Sequence, residues 1–152
     1  RNAANSGVVA GFPVVDVAVM LTDGSSHSVD SSCMAFEIAA SMGFREAVRE
    51  ARPTLLEPVM NLRILTPDDC AGDVMSDLST RRAQIGGMES KGNGVTEIIA
   101  VAPASTMQRY AADLRSLTHA RGDFTAIMDH YEPLPAQEAS KVIASRQSSE
   151  DE

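Results

Sequence analysis

The chain has 152 residues, 43% of them hydrophobic but only 4% aromatic, with no tryptophan, so any core must be built from Val, Ile, Leu, Met and Ala. A formal net charge of −8 excludes a general nucleic-acid binder, which needs clustered Lys and Arg, and confines any contact with a polyanion to a local patch. No apolar run approaches the roughly 20 residues that cross a bilayer, no leader pattern is visible, and Cys33 and Cys70 lack metal-ligand spacing, as expected of reduced cytosolic thiols.

Arg1 to Ser6 reads as the end of a helix stopped by Gly7. With no Met in front of it, the chain is expected to be a piece of a longer protein. Phe12 to Leu21 alternates, with Val15, Val17, Val19 and Leu21 on one face and Asp16 on the other, which predicts a half-buried strand. Asp23-Gly24 is a turn signal that runs into an exposed polar loop, Ser25-Ser26-His27-Ser28. Asp30 or Ser31 can cap a helix to about Glu50, with an apolar stripe of Met34, Ile38 and Met42 joined by Phe44, Ala47 and Val48. Pro53 ends this unit, and the boundary falls near Ala51 to Thr54.

A second unit starts with a strand from about Leu56 to Leu65. Thr66-Pro67-Asp68-Asp69 reads as a helix start: a cap, a proline at the first helical position and an acid three residues after the cap. That helix should reach about Ala83, with Cys70, Val74 and Leu78 along one side, and Gly72 inside it predicts close backbone packing against a sheet. Ile85 to Glu89 is a short strand, Ser90-Lys91-Gly92-Asn93-Gly94 a turn, and Val95 to Ala102 an alternating strand. Ser105 or Thr106 can cap a third helix carrying Met107, Tyr110, Ala111, Leu114 and Leu117, with Gly122 past its end. Phe124 to Tyr131 is the last strand. From Pro133 the composition turns polar, with a short helix and then disorder over Ser148 to Glu152 expected.

The fold class is therefore α+β. Residues 1–51 form one unit, residues 52–135 a second, and residues 136–152 a partly disordered polar tail. The second unit's order, strand–helix–strand–strand–helix–strand, is the ferredoxin-like split arrangement, an antiparallel sheet with both helices on one face. No catalytic residue and no metal site emerges. Asp68 and Asp69 are better read as helix-start acids than as a general acid–base pair, the methionines as core filling, and His130 with Tyr131 as structural. No G-x-x-x-x-G-K-[S/T] loop is present to cradle a nucleotide phosphate.

Several segments, in order and spacing, resemble the carboxy-terminal part of bacterial elongation factor G. They are Gly11-Phe12-Pro13-Val14-Val15-Asp16; His27-Ser28-Val29-Asp30-Ser31-Ser32 with Met34-Ala35-Phe36; and Leu55-Leu56-Glu57-Pro58. They continue with Arg81-Arg82-Ala83-Gln84-Ile85 and Gly87-Met88-Glu89, then Tyr110 to Thr118 and Asp129-His130-Tyr131. The resemblance implies the end of a domain four, a partial ribosomal-protein-S5-like unit, followed by an intact ferredoxin-like domain five. It implies a cytoplasmic, monomeric, ribosome-contacting module that supports tRNA–mRNA translocation and holds no cofactor itself. The GTP and Mg site, and with it the GTPase activity, would lie in the parent's amino-terminal part. Implied partners are large-subunit RNA and factor-binding proteins, the A site on the small ribosomal subunit, and the tRNA–mRNA, with no membrane.

Residue by residue, the resemblance places His27, flanked by Ser26 and Ser28, in the domain-four tip that reaches the decoding region. By residue type alone His27 would be an ordinary surface histidine. Arg115, Ser116 and His119 fall in the segment that faces the sarcin–ricin loop of ribosomal RNA. Arg115 and His119, four apart, are expected on one side of the helix, although a solvated face with cations near the negative end of the dipole would explain them equally in chemical terms. Arg81 and Arg82 could contact the ribosome or merely complement a helix terminus. The chain departs from the family's usual pattern at Ser26 and Ser28, where Tyr and an acid are common, at Cys33, where Glu is usual, and at His119, where Gln is common.

Rival readings remain. One is a paralogue acting in ribosome recycling or rescue. Another is a free-standing ferredoxin-like domain, either a small-ligand sensor or an acylphosphatase. The last would need an anion-binding loop with Arg and Asn where Leu65-Thr66-Pro67-Asp68-Asp69 stands.

Overall fold

Alternating apolar residues make a strand only where a neighbouring strand completes the backbone ladder, and the two halves of this chain differ on that point. The computed structural model describes residues 1–150, with side chains described to residue 146. The chain divides into two compact units, Leu56–Pro133 and a unit made of Arg1–Leu55 with the chain from Leu134 onward.

The Leu56–Pro133 unit is mixed helix and sheet. Its strands are β1 (Leu56–Pro67), β2 (Gln84–Gly92), β3 (Val95–Pro103) and β4 (Asp123–Pro133), in the order β2-β3-β1-β4, all neighbours antiparallel. This is the expected split arrangement, with β1 and β3 side by side at the centre. The β2–β3 hairpin closes through Asn93-Gly94, both at positive φ (55° and 75°), the two-residue turn whose twist suits paired strands. On one face Leu62, Ile64, Ile98, Ala100 and Ala102 meet Val74 and Leu78 of α3 (Ala71–Thr80) and Tyr110 and Leu114 of α4 (Tyr110–Leu117). Tyr110 packs edge-on against Phe124, ring centroids 4.9 Å apart. Its phenol is buried, and that burial pushes its pKa well above the ordinary value.

Details of the helix starts differ from the expectation. Thr66 does not cap: it is fully buried at the end of β1, its hydroxyl donating to the Pro67 carbonyl at 3.3 Å. A single 3-10 turn, Asp68–Cys70, precedes α3, and Asp68 instead accepts a bond from the Thr96 hydroxyl at 2.6 Å. Ser105 and Thr106 also sit in a 3-10 turn, Ala104–Met107, so neither caps α4 directly. Gly72 is exposed, with nothing within 4 Å of where a Cβ would stand, so its predicted close packing is not found.

Arg81 ties the two helices of this unit together. Its Nε donates to Asp77 at 2.7 Å, one Nη to Asp113 on α4 at 2.7 Å, and the other to the Thr106 carbonyl at 2.9 Å. The guanidinium also lies over the Tyr110 ring, 5.1 Å from its centroid. With its side chain only 16% exposed and four of its five N–H donors used within the unit, Arg81 is a structural tie.

In the other unit, α1 (Asn2–Asn5) ends at Ser6 and Gly7, the latter at φ 74°. The predicted strand at Phe12–Leu21 is absent: these residues are irregular, Asp16 takes φ 55°, and Leu21 is 89% exposed. The physical reason is that this unit contributes no strand, among the described residues, to pair with the segment's backbone. Helix α2 (Cys33–Glu50) is capped by Ser32, whose hydroxyl accepts from the Ala35 N–H at 3.1 Å, rather than by Asp30 or Ser31. Its predicted stripe of Met34, Ile38 and Met42 stays exposed, and Val48 alone of that helix is buried. Helix α5 (Ala136–Glu150) runs through the start of the segment expected to be disordered, and residues 151–152 lie outside the described residues.

Removing Arg81 would strand two carboxylates and a carbonyl at partly closed positions, a loss on the order of 2 kcal/mol. Arg81→Ala is expected to lower the urea midpoint of this unit accordingly, with Arg81→Lys recovering only part of it. Both tyrosines, Tyr110 and Tyr131, belong to this unit, so their near-UV signal reads it separately. An unchanged midpoint would show that the tie contributes nothing.

Candidate nucleic-acid interface

Both helices of the Leu56–Pro133 unit end the same way, and this decides where several candidate residues point. After α3, the Ala83 N–H reaches the Leu78 carbonyl at 3.1 Å and the Arg82 N–H the Ser79 carbonyl at 3.3 Å, with Arg82 at φ 63°. After α4, the Ala120 N–H reaches the Arg115 carbonyl at 2.7 Å, with His119 at φ 52°. These are Schellman closures with Arg82 and His119 in the left-handed position that glycine usually takes.

His119 is therefore not on the third helix, as the sequence suggested, and the four-residue spacing does not align it with Arg115. The helix stops at Leu117, and the chain reverses its local hand. Arg115 and Ser116 do lie on α4, exposed, on the side away from buried Tyr110 and Leu114. Beyond the helix, the Thr118 hydroxyl donates to the Leu114 carbonyl at 2.7 Å and accepts from the Gly122 N–H at 2.9 Å. A Cβ on Gly122 would stand 2.8 Å from the buried Thr118 side chain, so this close approach requires glycine. Arg121 then links this corner to the start of α3, donating to Asp69 at 2.9 Å and holding that carboxyl below its ordinary pKa. Asp68 and Asp69 thus face Thr96 and Arg121, and they give this corner the wrong sign for an acylphosphatase-type anion loop.

Charge pairing separates the cations of this unit. Arg63 and Lys91 both hold the buried Glu97, at 3.2 and 2.8 Å, and depress its pKa. Arg81 and Arg121 are paired as described. Arg82, the other helix-end candidate, grips the buried Glu57 through both terminal nitrogens. Among the described residues Arg115 has no acidic partner, and neither does Arg109 at the other end of α4; both are exposed. The sequence reading missed Arg109. Its signal was hidden because Asp113, four residues on, looks like its natural partner but is taken by Arg81.

In the other unit, Ser26, His27 and Ser28 are all exposed. The loop is closed by local bonds: the His27 N–H donates to the Ser31 hydroxyl at 2.7 Å, and the Ser31 N–H to the His27 carbonyl at 3.2 Å. This leaves the His27 ring facing outward on a short, locally tied loop.

Comparison with known proteins draws its boundary near the first unit boundary but carries the second family model past Pro133. The family model for elongation factor G, domain IV, matches residues 1–52, and that for the elongation factor G C-terminus matches residues 54–142. Elongation factor G of Aquifex pyrophilus is 48% identical over 146 residues, covering 96% of this chain and 21% of that protein. The chain thus spans about a fifth of the length of the relative it matches. A crystal structure from Thermus thermophilus matches with a TM-score of 0.84 and 40% identity, over 97% of this chain and 22% of that one.

On β4, His130 bridges two carboxylates, Nδ1 to Asp129 at 2.7 Å and Nε2 to Glu132 at 2.8 Å, and these bonds raise its pKa above 6.5. A raised folded value stabilises the protein fully below the unfolded pKa, and the effect fades as pH rises through the folded one. The stability difference between wild type and His130→Gln should therefore be greatest near about pH 5.5 and shrink through neutral pH. Urea titrations at several pH values check this; a difference that grows with pH would contradict it.

Proposed function

The chain belongs to the elongation factor G family, and on that premise we propose that it is the ribosome-contacting carboxy-terminal module of a translational GTPase, supporting tRNA–mRNA translocation. The observation that carries this reading is α4. In an acidic chain where Arg63, Arg81, Arg82, Lys91 and Arg121 of that unit are internally neutralised, Arg115 projects from a helix tied at both ends and has no acid beside it among the described residues. A guanidinium in that setting offers a planar, multi-donor grip on a phosphate or a base edge, and Ser116 adds a hydroxyl next to it. Helix α4 docks on large-subunit RNA in the factor-binding region, close to its proteins. The exposed loop carrying Ser26, His27 and Ser28 enters the A site on the small ribosomal subunit, where it accompanies the tRNA–mRNA.

GTP and Mg are bound, and GTP is hydrolysed, in the amino-terminal part of the parent protein. This chain works mechanically and electrostatically, in the cytoplasm, as part of a monomeric factor. Arg81 is committed within the unit, while Arg82, on Glu57, and His119, at the close of α4, support the helix ends and stay exposed beside the docking face.

Two variants of the full-length parent separate the two roles. Arg115→Ala should weaken ribosome binding by about 1–3 kcal/mol if the contact is directional. His27→Ala should slow tRNA–mRNA movement while leaving binding and ribosome-stimulated GTP hydrolysis nearly intact. Unchanged binding with Arg115→Ala, or equal loss of movement and hydrolysis with His27→Ala, would contradict the assignment.

A further inference from the structure

We propose that α4 grips ribosomal RNA at two points, with Arg109 as a second phosphate anchor alongside Arg115; this rests on the docking reading above. Arg109 immediately precedes the first residue of α4 and supplies its helix-start carbonyl, which accepts the N–H groups of Ala112 and Asp113 at 3.0 and 3.3 Å. Its backbone is thereby fixed while its side chain is exposed and carries no ion pair among the described residues. The nearest acid along the helix, Asp113, is drawn to Arg81 at 2.7 Å. The same tie that holds α4 in place thus leaves Arg109 available.

The two arginines are six positions apart, about 9 Å along the helix axis. The exposed surface between them belongs to Ala112 and Ser116. Ala112 presents only a methyl group, so a sugar–phosphate strand can approach the helix closely between the two cations, and Ser116 can donate to it. The occupant is argued from charge. The unit's other arginines and its lysine are neutralised by Asp69, Asp77, Asp113, Glu57, Glu89 and Glu97, so its unbalanced positive charge is concentrated at the two ends of one short helix. A polyanionic strand with regularly spaced charges matches that pair.

The test is the binding of the full-length parent to purified ribosomes over a series of salt concentrations. Each phosphate contact contributes about one unit to the slope of log affinity against log salt. Arg109→Ala and Arg115→Ala should each lower the slope by about one, and the double variant by about two, while Arg109→Lys keeps the wild-type slope. Because the Arg109 side chain is exposed and unpaired among the described residues, loss of folding will not mimic the result. A wild-type slope for Arg109→Ala with a reduced one for Arg115→Ala would overturn this proposal and leave the docking reading standing. Wild-type slopes for both would overturn the docking reading as well. A photo-crosslinker attached at Gln108→Cys, with exposed Cys33 and every exposed cysteine in the rest of the parent changed to Ser, should capture RNA. Capture of protein alone would mean an acidic protein surface is the partner, and would also overturn the proposal.

Discussion

The Leu56–Pro133 unit depends on one guanidinium. Arg81 meets Asp77 on its own helix, Asp113 on the next, the carbonyl of Thr106 between them and the face of Tyr110. Its planar fork holds these four groups together in a way that a single ammonium could not. The sheet supplies the apolar platform, but burial is non-directional and would tolerate helices sliding over it. Directional bonds from Arg81 at one end of α4, and from Arg121 to Asp69 at the other, remove that freedom. A helix with both ends held can present its outer face in a single orientation, as recognition of a fixed RNA surface needs.

The same economy of charge explains how an acidic chain can contact a polyanion. Its cations are few, and most in this unit serve inside it: Arg63 and Lys91 neutralise buried Glu97, and Arg82 neutralises buried Glu57. Within this unit, leaving only Arg109 and Arg115 without an acidic partner among the described residues concentrates its attraction for a polyanion on α4. Local attraction with bulk repulsion favours one docking geometry over nonspecific association.

Much of this was readable in the sequence, for a physical reason. In the second unit every alternating segment finds a partner strand within the same stretch of chain, so periodicity and hydrogen bonding agree, and the order of elements alone yields the split topology. In the first unit they disagree. Val15, Val17, Val19 and Leu21 alternate as a strand should, yet nothing among the described residues of the unit pairs with them, and the stripe of Met34, Ile38 and Met42 on α2 is likewise left uncovered. Burial patterns describe what a segment is suited to, and only the neighbours decide whether it is used. Helix ends were harder to read because Arg82 and His119 occupy left-handed positions that sequence rules reserve for glycine, so both helices stop earlier than their patterns suggest. The role of Arg81 was hidden for another reason: its partners lie as far as 32 positions away, beyond any local rule.

The central claim is that the outer face of α4, and not the open face of the sheet, meets ribosomal RNA. Directed hydroxyl-radical cleavage tests this in the full-length parent bound to ribosomes. With Cys33 and every exposed cysteine in the rest of the parent changed to Ser, and Cys70 buried, a tethered iron chelate can be placed at Ala112→Cys on α4 or at Ile127→Cys, an exposed position on the sheet's outer face. The account predicts strong, localised cuts in large-subunit RNA from position 112 and weaker, diffuse ones from position 127. Strong cuts from position 127 with none from position 112 would contradict it.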